Sequence, residues 1–178
     1  MDLNAPREVF IITTGGTIEK TYDEEEGSLS NRRSIVEEEI IDRLRLPYLK
    51  VETLCIFNKD SLYLTDQDRQ KIYETINSAL SKRVPIIVIH GTDTMAMSAE
   101  FCYKEFLKNK IILTVPIIFT GAMRPLEFSD SDAIQNVNEA LMASGIAAPG
   151  VYISFHCRLF SVPNVRKNPK LRTFESLK

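Results

Sequence analysis

Pro85-Ile-Ile-Val-Ile-His-Gly-Thr-Asp-Thr94 is the stretch that most restricts what this chain can become. Four apolar, mostly β-branched residues run without alternation into small polar groups. That pattern describes a central strand covered on both faces and ending in a loop. In an open α/β sheet, ligands bind beyond the carboxyl ends of the strands, so Thr92 and Asp93 stand where a pocket is expected. Val9-Phe-Ile-Ile-Thr-Thr-Gly-Gly-Thr-Ile18 repeats the pattern and delivers Thr14 and Thr17 to a neighbouring strand end.

The order of the remaining segments extends this to a sheet. Strands are expected over 8–13, 51–57, 85–90, 115–119 and 151–155. Helices are expected from Ile35 to Leu44, after Thr65, from about Thr94 and from about Ser131 to Ser144, where Gly145 takes the C-terminal cap. Ser34-Ile-Val-Glu37 has the spacing of a capping box, and Thr65 is placed to cap the second helix, with Arg69, Gln70 and Lys71 outward. The third helix is expected to turn Met97, Phe101 and Phe106 to the sheet, and the fourth to bury Ala133, Ile134, Val137 and Leu141. Thr21 to Asn31 is polar and aperiodic, a mobile surface loop leaving the glycine turn. The segment after Val162, with Pro163, Pro169 and the basic residues Arg166, Lys167, Lys170 and Arg172, reads as irregular. Strands alternating with helices imply one mostly parallel sheet with helices on both faces.

Composition limits the partners. At 178 residues with 44% hydrophobic side chains, the chain suits a single domain. The 22 basic and 24 acidic residues give no steering toward nucleic acid or an anionic membrane. Neither a signal peptide nor a membrane-spanning run is visible, so a cytoplasmic protein is expected. Cys55, Cys102 and Cys157 form no C-x-x-C pair and are expected as buried thiols, without a disulfide or zinc.

Local sequence leaves three readings of the polar strand ends. A dinucleotide site would follow the first strand, yet G-x-G-x-x-G is absent and only Gly15-Gly16 stand together. The hydroxyls could merely cap helices and satisfy turns. Or a threonine could be a nucleophile, which requires a base within hydrogen-bond reach and donors for the oxyanion; the Gly16 and Gly91 amides are unshielded candidates for the latter.

Thr14-Gly-Gly-Thr-Ile18, His90-Gly-Thr-Asp-Thr-Met95 and Gly121-Ala-Met-Arg-Pro125, in that order, resemble the bacterial-type L-asparaginase/glutaminase family. The resemblance runs from about residue 8 to the end and covers that family's larger N-terminal domain; its smaller C-terminal domain is not in this sequence, as in short single-domain relatives. It implies a three-layer α/β/α sandwich with a doubly wound, mostly parallel sheet, Rossmann or flavodoxin-like, and hydrolysis of a small carboxamide without cofactor or metal. By the same resemblance Thr17 is the nucleophile, Tyr22 the loop tyrosine that helps activate it, and Thr92 and Asp93 the inner polar cluster. Gly16 and Gly91 flank the oxyanion and Ala122 contacts the leaving amide. Asn58, Lys59 and Asp60 stand in the segment that holds the amino-acid head, where Ser-Gln is usual in place of Asn58-Lys59. The loop 21–31 is then a lid, and a homodimer or homotetramer is expected.

One departure separates two expectations. The lysine that the family pairs with its threonine and aspartate is expected on the helix after Gly121-Ala-Met, where Ser144 and Gly145 stand. Lys59 or Arg124 could replace it. Without it, the alternative is a binding module for small amino acids or carboxylates that retains the pocket and has lost catalysis. His90 is expected as a structural imidazole, and His156-Cys157 as at most a weak metal pair.

Overall fold

The computed structural model describes residues 5–31 and 34–177. The main sheet has six strands: β1 (Arg7–Gly15), β4 (Leu49–Lys59), β5 (Ile86–Ile89), β6 (Pro116–Thr120), β7 (Gly150–Phe155) and β8 (Arg158–Ser161), in the order β4-β1-β5-β6-β7-β8. All neighbours are parallel except β7 and β8. Two further hairpins stand apart, β2 (Lys20–Asp23) with β3 (Ser28–Asn31), and β9 (Val165–Asn168) with β10 (Thr173–Ser176).

Burial on both faces explains the unbroken apolar runs. Phe10, Ile12, Ile86, Val88, Ile117 and Phe119 belong to one core cluster, with α2 (Asp66–Ala79) and α3 (Met95–Lys108). The alternate residues Val9, Ile11, Ile87, Ile89 and Ile118 belong to the other, with α1 (Val36–Glu39) and α4 (Ala133–Ser144). Thr65 caps α2 as expected: its hydroxyl accepts from the Asp68 amide, while the Asp68 carboxylate accepts from the Thr65 amide.

Several local expectations are overturned. Ser34 is not a helix cap, because its hydroxyl donates to the Glu19 carboxylate and Ile35 takes the cap position; the helix is four residues followed by a 3-10 turn over Ile41–Arg43. Arg69 is buried rather than outward, while Met97 and Ile134 are exposed and Met95 and Ala140 fill the core in their stead. Gly145 does end α4, in ordinary right-handed backbone, and the Arg7 guanidinium reaches that helix end by donating to the Leu141 carbonyl at 2.6 Å. Segment 21–31 is mostly hairpin, and the segment after Val162 is a hairpin whose Val165 and Phe174 are buried, Phe174 packing edge-on against Phe155. Of the cysteines only Cys102 is buried; Cys55 and Cys157 are exposed.

Candidate active site

Three strand ends meet backbone to backbone. β1 closes on Gly15 and Gly16, both at positive φ (92° and 89°), and passes into a 3-10 turn, Thr17–Glu19. A methyl group at Gly16 would lie 2.3 Å from the Cα of Gly91, one at Gly91 would lie 2.4 Å from Ser61 Oγ, and one at Gly121 would lie 2.2 Å from the His90 carbonyl oxygen. Only glycine permits these approaches. Thr17 and Thr92 each follow one of the touching glycines, which sets both residues at one edge of the sheet. Thr17 is half-buried and its hydroxyl makes no hydrogen bond among the described residues, whereas Thr92 is 2% exposed.

The Thr17 turn is pinned from behind. The Glu19 carboxylate is fully buried, accepts the Gly15 amide at 2.8 Å and takes the Ser34 hydroxyl proton in a hydrogen bond. Burial raises its pKa above the usual carboxylate range, and the hydrogen bonds from Ser34, Gly15 and Ile35 offset this only in part. The Gly16 amide donates to the Lys59 carbonyl at 2.9 Å, so it is not free to face an oxyanion as expected.

The cation missing from α4 comes from β9. Lys167 Nζ lies 2.8 Å from Thr92 Oγ1 and 2.8 Å from Asp93 Oδ1. Ser144 and Gly145 do end α4, and the cation beside Asp93 is neither of the two expected replacements, Lys59 or Arg124, but Lys167. The two candidate substitutes are engaged elsewhere: Lys59 pairs with Asp68 at 2.6 Å and lies over the Phe57 ring, and Arg124 pairs with Asp130. In the sequence Lys167 reads only as part of a basic tail. The signal that finds it is its register with Val165: two residues apart on a strand they share a face, and Val165 points into the core.

Further groups border this edge. Asp60 accepts from Lys20 Nζ at 2.6 Å and from the Leu62 amide at 3.0 Å. Burial pushes its carboxyl up, but those two hydrogen bonds together with the positive charges of Lys20 and Lys167 hold the pKa below its ordinary value. Asn58 Oδ1 is buried and unpartnered among the described residues. Ala122 is buried, and the turn beyond it hangs on Asp132, which accepts from the Met123 and Arg124 amides at 3.0 and 3.1 Å. Asp132 in turn meets His156 Nε2 at 2.9 Å, and Cys157 donates to Glu139, so these two residues face different carboxylates. His90 is wholly buried; burial lowers its pKa to about 4, keeping it neutral, and Nδ1 lies 2.8 Å from the Gly91 carbonyl. Tyr22 is not brought to Thr17: its ring is 57% exposed and its hydroxyl lies beside Gly27 in the hairpin turn. The cavity of about 620 Å³ between the hairpin and residues 126–131 is lined by Thr21, Ile35, Arg43 and Phe128, and none of the Thr92, Asp93 or Lys167 side chains enters it.

A family model described as Asparaginase, N-terminal, matches residues 8–178. The L-asparaginase of Thermococcus kodakarensis is 26% identical over 174 residues, 95% of this chain and 51% of that protein. Its structure superposes with a TM-score of 0.80, and that of L-asparaginase I from Vibrio cholerae, 27% identical, with 0.75 over 97% of this chain and 52% of that one. One component of the glutamyl-tRNA(Gln) amidotransferase of Nanoarchaeum equitans is 38% identical over 138 residues, 77% of this chain and 32% of that protein. The chain thus spans about half the length of the asparaginases it matches. No helix among the described residues is long and apolar enough to cross a membrane. The glycine contacts between strand ends, the fold and the extent of the match agree on one assignment: this chain belongs to the asparaginase family, through the N-terminal domain.

Proposed function

We propose that the chain carries the catalytic half of an amidohydrolase that cleaves a small carboxamide such as asparagine or glutamine. The observation that supports this reading most directly is Lys167 bridging Thr92 and Asp93 beside the Thr17 turn. The Thr17 hydroxyl attacks the amide carbon and gives up its proton, the nitrogen is protonated and leaves as ammonia, and an ester on Thr17 remains. Water then cleaves that ester, releasing the acid and restoring the hydroxyl. Thr92, Lys167 and Asp93 form the proton relay, and hydrogen-bond donors around Gly91 hold the oxyanion. Tyr22 takes part only if the β2–β3 hairpin folds toward the cleft. Asp93 keeps a side chain 35% exposed, which fits a cleft completed by a further domain or a second copy.

Ammonia release from asparagine and glutamine by the wild type, and its loss in Thr17→Ala, tests the assignment; an alanine variant as fast as wild type removes it. The binding-module alternative draws on a missing cation and on a match confined to the N-terminal domain; Lys167 bears on the first ground and leaves the second standing. A second enzymatic reading draws on the likeness to the amidotransferase component: the freed nitrogen passes to an acceptor on another chain. Ammonia release that depends on an added partner protein favours it, and full activity of the chain alone disfavours it.

A further inference from the structure

Between β7 and β8, Phe155 pairs with Arg158, so His156 and Cys157 alone make the turn, and both have positive φ (48° and 60°). Turns of this kind favour Asn-Gly, because a bulkier side chain is strained in left-handed backbone. The groups of His156 are all engaged there: its amide donates to Asn136 Oδ1 at 3.1 Å, Nε2 lies 2.9 Å from Asp132 Oδ2, and Nδ1 lies 3.0 Å from Thr173 Oγ1. Burial pushes the Asp132 carboxyl up, but the Met123 amide, the imidazole and the Arg124 amide hold its pKa below the usual range, so it is ionised. An ionised carboxylate only accepts. In the neutral imidazole this places the proton on Nε2 and leaves Nδ1 to accept from the Thr173 hydroxyl.

The two partners of the ring lead to different parts of the site. Besides the Met123 and Arg124 amides, Asp132 accepts from Asn136 Nδ2 at 2.8 Å, and Asn136 also donates to the Gly121 carbonyl, so this carboxylate holds the turn that carries Ala122. Thr173 opposes Asn168 on β9, one residue from Lys167; Phe174 opposes Lys167 itself and packs on the Phe155 ring at 5.0 Å between centroids. The imidazole is thus a strut between the turn after β6 and the hairpin whose Lys167 reaches Thr92 and Asp93. A lysine stem is flexible, so its ammonium stays on two partners only if the strand that bears it is held in place. We propose that His156 is a positioning residue: by fixing the β9–β10 hairpin against the turn after β6, it sets where the Lys167 ammonium stands. It acts through Thr173 and Lys167, not on the substrate. This deepens the amide-hydrolysis reading and rests on it for the effect on rate.

Two variants of the full chain cut the strut at opposite ends. His156→Asn tolerates the left-handed backbone and carries a polar atom where Nδ1 stands but none at Nε2, so it keeps Thr173 and releases Asp132. Thr173→Val releases the other end. Each lowers kcat for asparagine by about tenfold to a hundredfold, the cost of a misplaced group, and leaves KM unchanged. The double variant is no slower than the slower single one, because either change alone breaks the strut. A readout free of turnover is the carbon NMR signal of the Lys167 ε-methylene in lysine-labelled protein, identified by its loss in Lys167→Met, and it moves in both single variants. A Lys167 signal that stays in place overturns the proposal whether or not ammonia is released. With an active wild type, a single variant of wild-type rate, or effects that add in the double variant, overturns it as well. A signal that moves in a protein releasing no ammonia retains the strut and refutes the hydrolase.

Discussion

Replacing Lys167 with methionine separates a catalytic role for the ammonium from a structural one. The pair with Asp93 is exposed by 24% and 35% at its two side chains, so solvent screens it and its contribution to stability is about 0.5–1 kcal/mol. The Thr92 hydroxyl is buried and loses one donor, which adds about 1 kcal/mol. Their sum, below about 2 kcal/mol, leaves a domain of ordinary stability folded. Loss of a positioned proton relay, in contrast, lowers the rate roughly 10²- to 10⁴-fold. Ammonia release at saturating asparagine, read beside urea unfolding, should show a small shift in the unfolding midpoint and a rate reduced by about 100-fold or more. Lys167→Arg sharpens the test: a guanidinium keeps the charge and much of the stability but does not give up its proton, so the rate stays low. The reasoning is refuted if Lys167→Met unfolds as expected and still releases ammonia at a wild-type rate.

Two further perturbations follow from the same edge. His90 has a folded pKa of about 4 against 6.5 when exposed, so the folded state disfavours its charging; the stability this gives is present above pH 6.5 and is lost as pH falls toward 4. In urea titrations the advantage of wild type over His90→Gln should shrink by about 2 kcal/mol between pH 8 and pH 5, and a constant difference would refute the assignment. Gly16→Ala forces a methyl into the Gly91 backbone at a φ of 89°, and should cost roughly 3 kcal/mol or more in unfolding free energy together with activity; an active variant of wild-type stability would show that the two turns do not touch.

What can be read from the chain alone depends on whether a residue's partners are local. β5 and β1 are legible because burial on two faces leaves a continuous apolar signal. Thr65 and Ser34 stand at similar spacing to an acid three residues on, yet only Thr65 caps its helix. Ser34 instead meets Glu19, 15 residues away and across the fold, and no spacing rule reports such a partner. The β2–β3 hairpin stays hidden because its strands are four residues long, mostly polar and for the most part only half-buried, so alternation has little to act on. Lys167 is hidden differently: beside Arg166 and Lys170 it looks like one charge in a solvated run, and only the pairing of β9 with β10 turns it inward while Arg166 reaches out to Glu175.

The division has a physical origin. The hydroxyls sit on turns whose geometry is set by glycine contacts: Gly16 on Gly91, Gly91 on Ser61, and Gly121 on the His90 carbonyl. Contacts of that kind require glycine at fixed places, and so they mark the sequence. The charges around the hydroxyls come on flexible stems from the turn after Thr17 and from β9, 74 residues beyond Asp93 in the case of Lys167. A lysine can reach its carboxylate from many backbone positions, so its origin leaves little trace in spacing. The parallel strand ends therefore fix where the threonine turns stand, whereas the lysines beside them can come from different elements without disturbing the glycine stack. Proteins of this fold should accordingly differ more in the origin of their cations than in their threonine turns.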